Sequence, residues 1–320
     1  VLLTDMHHLI SDGYSVNILL QELSELYQGK LLQENPIQYK EFVYWQNEFL
    51  KTSAASIQEK YWLDVLSGDL PVLDMPTDFP RPIIQSFEGN SFIFEGGNEL
   101  KQRLDNLCLE TDTTLYMILS AAYSILLSKC SSQHDIIVGM PILGRTHSDL
   151  KNIIGMFANT IAIRSFPIEK KNFTEFLSEI KEQLIKAYDN QDYQFDMIID
   201  KLKIKRDLGR NPIFSTMLAF QESQINESIM GNLKMTPVQY RNKISKFDLT
   251  LFVEKGKKEL FFEFEYASSL YRMETIKKLA ENFLGILDTI SSNKEIKLEN
   301  IEIEGLVIEN TEIENVKFNF

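Results

Sequence analysis

The feature that most constrains the fold is an uneven mixture of short apolar runs and amphipathic helical stretches. Strand-like runs stand at 87–96, 135–140, 155–165, 213–220, 247–254 and 259–266. Asp135-Ile136-Ile137-Val138-Gly139-Met140 reads as a short strand of the buried type. The last two runs flank Gly256 and predict a hairpin. Helical periodicity fills 14–30, 37–66, 98–110, 114–130, 172–189, 197–202 and 275–290. It is clearest in the stripe Phe173, Phe176, Leu177, Ile180, Leu184 and Tyr188. Strands and helices do not alternate strictly, which argues against a doubly wound parallel sheet. The expected class is α/β of the α+β kind, with mixed sheets flanked by helices.

Punctuation suggests two lobes. Residues 69–86 carry Pro71, Pro76, Pro80 and Pro82 and lack helical periodicity, so they predict an extended connection. It separates residues 1–68 from a larger lobe over 87–300. The end of the chain, 291–320, is polar and rich in Glu and Asn, and the linker proper is placed at 301–320. Val1 already lies in a strand-like run, so the chain reads as a piece of a longer polypeptide.

With 44% hydrophobic and 25% charged residues, 320 residues can bury a sizeable core. A formal net charge of −13 argues against broad binding to nucleic acid or an anionic membrane. Cys108 and Cys130 have neither zinc-like nor redox spacing. With no secretory signal and no long apolar run, a cytoplasmic setting is expected.

The chemistry-bearing stretch is Met6-His7-His8-Leu9-Ile10-Ser11-Asp12-Gly13-Tyr14-Ser15. An apolar run precedes it and a helical segment follows, which predicts a strand, a sharp loop and a helix. Such junctions hold functional residues on a rigid support while leaving them accessible. On a strand, His7 and His8 would point to opposite faces and could not readily chelate one metal. An imidazole exchanges its proton near neutrality, which suits it to general acid–base work. Asp12 reads as a structural carboxylate on a tight turn, and Gly13 as a residue that lets the backbone turn closely or present its amide.

The stretch resembles the His-His-x-x-x-Asp-Gly motif of condensation domains in nonribosomal peptide synthetases. Four companions follow in that family's order. They are Tyr39-Lys40-Glu41-Phe42-Val43-Tyr44-Trp45-Gln46, Ile154-Gly155-Met156-Phe157-Ala158-Asn159-Thr160, Asn190-Gln191-Asp192-Tyr193-Gln194-Phe195-Asp196, and Arg206-Asp207-Leu208-Gly209-Arg210-Asn211-Pro212-Ile213-Phe214. Ala158, Gln194, Asp196 and Gly209 depart from the family's wording. The resemblance implies a two-lobed chloramphenicol acetyltransferase-like fold, here with its first lobe incomplete. It also implies amide formation between thioesters held on the phosphopantetheine arms of upstream and downstream peptidyl carrier proteins. No cofactor or metal would be bound by the chain itself. The block wording is most like the subtype that joins two L-configured residues. Lys317-Phe318-Asn319 resembles the lead into an adenylation domain.

The resemblance places His8 at the reaction centre, with His7, Asp12 and Gly13 beside it. Arg145 is the expected partner of Asp12, with Asn159 and Gln191 in support. Trp45 and Tyr39 are expected as core anchors, and His134 and His147 as surface histidines. Arg206 and Arg210 are open to two readings, a carrier contact or a structural one. Two other functions remain open: a catalytically silent platform that recruits another protein, and a coenzyme A-dependent acyltransferase of the same fold.

Overall fold

The structure is a computed structural model. It describes residues 3–32, 34–35, 37–204, 207–222, 228–230, 233–236, 243–256 and 258–305. Val1 and Leu2 of the expected first strand, Arg206 and the adenylation-like tail at 317–319 lie outside these residues.

Three helices lead: α1 (Gly13–Tyr27), α2 (Tyr39–Phe49) and α3 (Ser53–Val65). The single helix expected over 37–66 is two. Thr52 is extended and its side chain accepts the Ala55 amide, so it caps a new helix. At the start of α2 the Glu41 side chain accepts the Gln38 amide at 2.8 Å, satisfying a donor of the first turn.

The larger lobe is built on β1 (Gly89–Gly96), β2 (Ile136–Ile142), β3 (Asn159–Ser165), β4 (Thr216–Glu222), β7 (Leu249–Lys255) and β8 (Leu260–Ala267). These form one six-stranded sheet in the order β1-β8-β7-β4-β2-β3. Pairs β2–β4 and β4–β7 are parallel and the others antiparallel, so the sheet is mixed. The short β5 (Ser228–Met230) and β6 (Leu233–Met235) pair apart from it. The predicted hairpin closes between β7 and β8 with Gly256 N–H donating to the Glu259 carbonyl at 3.0 Å.

The helices α4 (Asn98–Thr111), α5 (Leu115–Ser131), α6 (Phe173–Asp189) and α8 (Met273–Ser292) cover this sheet, while α7 (Phe195–Leu202) packs near α3 and β3. Alternation decides which sheet residues face the core. Val253 sits opposite Phe262 and Leu251 opposite Phe264, and all four are buried. Helix α5 is apolar all round because it touches α4, α6, α8 and the sheet.

Three expectations change. Residues 3–7 form no strand: a strand exists only through pairing, and no partner strand lies beside them among the described residues. The expected strand over 155–165 starts only at Asn159, because 155–157 are taken up by side-chain contacts described below. The stretch beyond 291 is not free over its described part. Leu298 and Ile301 are buried, and Asn282 exchanges hydrogen bonds with the Glu304 backbone at 2.9 and 2.8 Å. Residues 301–305 therefore pack on the lobe, because Ile301 has apolar surface to bury.

Helix α3, assigned by its position to the first lobe, sends Trp62 and Leu66 into the large lobe's core. A smaller cluster of Phe42, Ile153 and Phe157, with Tyr39, Ile37 and Leu150 against it, joins α2 to the loop before β3.

Candidate functional site

The site forms where the start of α1 meets two loops of the large lobe, 143–150 and 150–158. Asp12 caps α1, accepting from the Ser15 amide at 2.8 Å and the Ser15 hydroxyl at 2.7 Å. A cap of this kind is worth about 0.5–2 kcal/mol. The Phe157 amide donates to its other oxygen at 3.1 Å, and Arg145 Nη2 reaches Oδ1 at 3.1 Å. Both charged side chains of this pair are almost sealed from water, 4% and 3% exposed.

Burial alone would push the Asp12 carboxyl up. The Ser15 side chain and amide, the Arg145 charge and the Phe157 amide outweigh it and hold the group below its ordinary value of 3.8. The carboxylate is thus fixed as an anion and used in full by the fold.

Arg145 is held at both ends. Nη1 donates to the carbonyls of Leu150 and Ile153 at 2.6 and 2.7 Å. Its guanidinium lies 4.1 Å from the Phe157 ring centre and 4.7 Å from that of Tyr14. The loop reaches this position through Gly144, whose φ of 64° is left-handed and whose missing side chain leaves room for the Phe157 carbonyl. Tyr39 adds a second tie, donating its hydroxyl to the Met156 carbonyl at 2.7 Å. Burial, with the Asp12 charge nearby, pushes this phenol up.

His8 stands apart from this network. Its ring is exposed, and Nδ1 lies 2.7 Å from the Ser11 carbonyl. A carbonyl only accepts, so in the neutral ring Nδ1 carries the proton and Nε2 keeps its lone pair. His7 does something else: its Nδ1 accepts the Leu9 amide at 3.1 Å, inside a turn closed by Ile10 N–H to the His7 carbonyl. The turn over 8–10 replaces the expected strand, so opposite-face alternation does not apply to the two histidines.

Gly13 is the first residue of α1, and a Cβ placed on it would meet nothing within 4 Å. No turn geometry calls for glycine here, contrary to expectation. What remains is an open approach to the helix start beside Asp12.

Asn159 and Gln191 meet each other rather than Asp12. Asn159 donates to the carbonyls of Gln191 and Tyr193 at 3.0 and 3.1 Å and accepts the Phe195 amide at 3.2 Å. The Gln191 side chain closes its own turn on the Tyr188 carbonyl at 2.8 Å. From the other side, Trp62 Nε1 donates to the Asn190 carbonyl at 2.8 Å, and Gln58 accepts the Tyr193 amide at 3.0 Å. The loop is therefore gripped between β3 and α3.

Other expectations sort plainly. Tyr39 is an anchor, but Trp45 is 45% exposed, stacked between Phe42 and Phe49 on the outside of α2; the buried anchor is Trp62. His134 and His147 are exposed. Arg210 donates to the Leu73 carbonyl at 3.1 Å, a structural use. Cys108 and Cys130 are unpaired, and burial pushes their thiols up to about 11 and about 12. Ser15 was not singled out by sequence. The signal for it was present, since a serine three residues after an Asp cap faces that cap.

Among the described residues no group of His, Cys, Asp and Glu is placed to hold a metal ion. No single described helix is long and apolar enough to cross a membrane.

Residues 1–305 match the condensation domain family. The chain is 47% identical over 305 residues to gramicidin S synthase 2 of Brevibacillus brevis, covering 95% of this chain and 7% of that protein. It thus spans a small fraction of the curated relatives it matches. A four-domain nonribosomal peptide synthetase bound to AMP and glycine superposes with a TM-score of 0.84 at 22% identity, over 92% of this chain and 24% of that one. The X-domain from teicoplanin biosynthesis, solved in complex with OxyB, gives 0.85 at 19% identity, over 93% of this chain and 69% of that one. The fold is the chloramphenicol acetyltransferase-like one, a mixed sheet flanked by helices. By its sequence over nearly its whole length, the chain belongs to the condensation domain family.

Proposed function

We propose that this chain carries the peptide-bond-forming centre of a nonribosomal peptide synthetase, with His8 as the residue that manages the proton of the attacking amine. Donor and acceptor are aminoacyl or peptidyl thioesters on the phosphopantetheine arms of two carrier proteins. The acceptor nitrogen attacks the donor carbonyl carbon, the C–N bond forms, the C–S bond breaks, and the donor arm leaves as its thiol with the proton the nitrogen gives up.

The observation that carries the reading is the bond from His8 Nδ1 to the Ser11 carbonyl. It leaves Nε2 as an exposed acceptor, able to take the proton or orient the amine. A placed general base contributes roughly 10²–10⁴-fold, and holding two tethered substrates end to end supplies much of the remainder. His7 serves the turn, Asp12 and Arg145 fix the start of α1, the open space at Gly13 leaves room for substrate, and Asn159 and Gln191 hold the facing loop. The chain needs no cofactor of its own in this scheme. An adenylation domain next to it and a cytosolic setting belong to the same proposal.

The test is single-turnover transfer between loaded carriers by the intact domain and its His8→Ala variant. A large loss in the variant is expected; equal rates would remove His8 from the chemistry. The wording Met6-His7-His8, Asn190-Gln191-Asp192 and Arg210-Asn211-Pro212 extends the proposal to two L-configured residues. Donor carriers loaded with either epimer check this, and equal transfer of both would overturn it.

The X-domain likeness gives the recruiting-platform reading its one support, since that domain was solved with another protein. The free Nε2 of His8 and the sealed Asp12–Arg145 pair favour the catalytic reading. A platform needs no base.

A further inference from the structure

Ser15 is fully buried and its hydroxyl has four polar neighbours. They are Asp12 Oδ1 at 2.7 Å, the Gly155 carbonyl at 2.8 Å, Arg145 Nη2 at 3.0 Å and the Gly155 amide at 3.1 Å. A serine hydroxyl has one proton and two lone pairs. The two lone pairs accept from Arg145 and from the Gly155 amide. The single proton is shared by two claimants, Asp12 and the Gly155 carbonyl. The hydroxyl thus ties the cap, the arginine and the Gly155 backbone together at one buried point.

We propose that Ser15 is a positioning residue for His8, acting through Asp12 and the Ser11 carbonyl. The chain of contacts is short. Ser15 fixes Asp12 at the helix start; Asp12 follows directly on Ser11; the Ser11 carbonyl receives His8 Nδ1–H and so sets the direction of Nε2. The same hydroxyl keeps the large lobe's Gly155 strap seated on α1, 140 residues away in sequence. This inference rests on the proposed role of His8. The groups that face Asp12 are Ser15 on α1, Tyr39 on α2, Arg145 after β2 and the Phe157 amide before β3.

The experiment compares Ser15→Ala, Ser15→Cys and His8→Ala in the intact domain, by single-turnover transfer across pH and by thermal unfolding. In Ser15→Ala the transfer rate is expected to fall about 10²-fold, the scale of a misplaced reacting group, with half-saturation by the carriers unchanged. The acid limb of its stability curve, read by thermal unfolding across pH, is expected to move to higher pH, because Asp12 stays buried with one donor fewer. Ser15→Cys keeps nearly the volume but only a weak donor, and is expected between alanine and wild type. A folded Ser15→Ala with the wild-type rate, or with a lower rate and an unmoved acid limb, would overturn the inference. If both Ser15 variants fail to fold while His8→Ala folds, the residue is only a fold support and the inference fails too. A wild-type rate in His8→Ala would instead sink the reading beneath it, whatever Ser15 does.

Discussion

The ring of Tyr39 occupies the space that a side chain at residue 155 would need. A Cβ on Gly155 would stand 2.7 Å from Tyr39 Cγ and closer still to Cδ2. Two segments more than a hundred residues apart are thus fitted to each other, and the glycine is required by a neighbour rather than by its own backbone angles. Gly155→Ala should cost about 1–3 kcal/mol through overpacking. Replacing Tyr39 by leucine in the same chain should return part of that loss, read as a coupling energy in a denaturant-unfolding double-mutant cycle. Strict additivity of the two changes would contradict the close approach.

The Asp12–Arg145 pair predicts a pH signature. A carboxyl lowered by folding contributes stability that is complete above the unfolded-chain value, near 3.8, and is lost as pH falls through the lower native value. Wild type should therefore lose stability over a window that begins just below pH 4 and extends to more acid values, and Asp12→Asn should flatten that part of the curve. Arg145→Met leaves the carboxylate buried without its charge partner and should cost about 3–5 kcal/mol at neutral pH. Urea unfolding at a series of pH values checks both. A curve for Asp12→Asn that parallels wild type below pH 4 would count against the assignment.

The two tryptophans should behave as opposites. Trp62 is 1% exposed in the large lobe's core, whereas Trp45 is 45% exposed on α2. Trp62→Ala should cost about 3–5 kcal/mol, and Trp45→Ala about 1 kcal/mol or less, the scale of a surface aromatic stack. Acrylamide should quench the Trp45 emission strongly in Trp62→Phe and leave the Trp62 emission of Trp45→Phe protected. The reverse pattern would mean that α2, not α3, enters the core.

The contrast between these tryptophans also shows what a sequence can and cannot carry. Both sit at helical spacing among aromatic neighbours, and nothing local separates them. Burial is decided by a partner, here the Asn190 carbonyl that receives Trp62 Nε1–H. The amphipathic stripe of α6 from Phe173 to Leu184 and the hairpin at Gly256 were legible because their causes are local, a period of 3.6 and a turn; Tyr188, expected in the same stripe, is exposed at the helix end. The ordered motifs gave the family and pointed to His8, Asp12 and Arg145. The break at Thr52 was missed because apolar periodicity runs across it, and the cap shows only in the side-chain bond to Ala55. The described part of the expected first strand, residues 3–8, is not one for a related reason, since strandness belongs to a pair of segments. Ser15 looks like an ordinary first-turn serine until the Gly155 strap arrives.

Asn159 offers the sharpest test of the gripped loop. It is 8% exposed, with its amide nitrogen on two carbonyls and its oxygen on one amide. Asn159→Ala leaves one buried and two half-buried backbone groups without this partner and should cost about 1–3 kcal/mol. Asn159→Asp should be worse although it is nearly the same shape, because a carboxylate has no proton to give the Gln191 and Tyr193 carbonyls and meets them as a buried charge. Hydrogen exchange should localise the damage, with amides over 191–196 losing protection while those of β7 and β8 keep theirs. If the Asn159→Asp variant proves as stable as wild type at neutral pH, the side chain's donors are not what holds the loop, and the grip must be assigned to Trp62 and Gln58 on α3 alone.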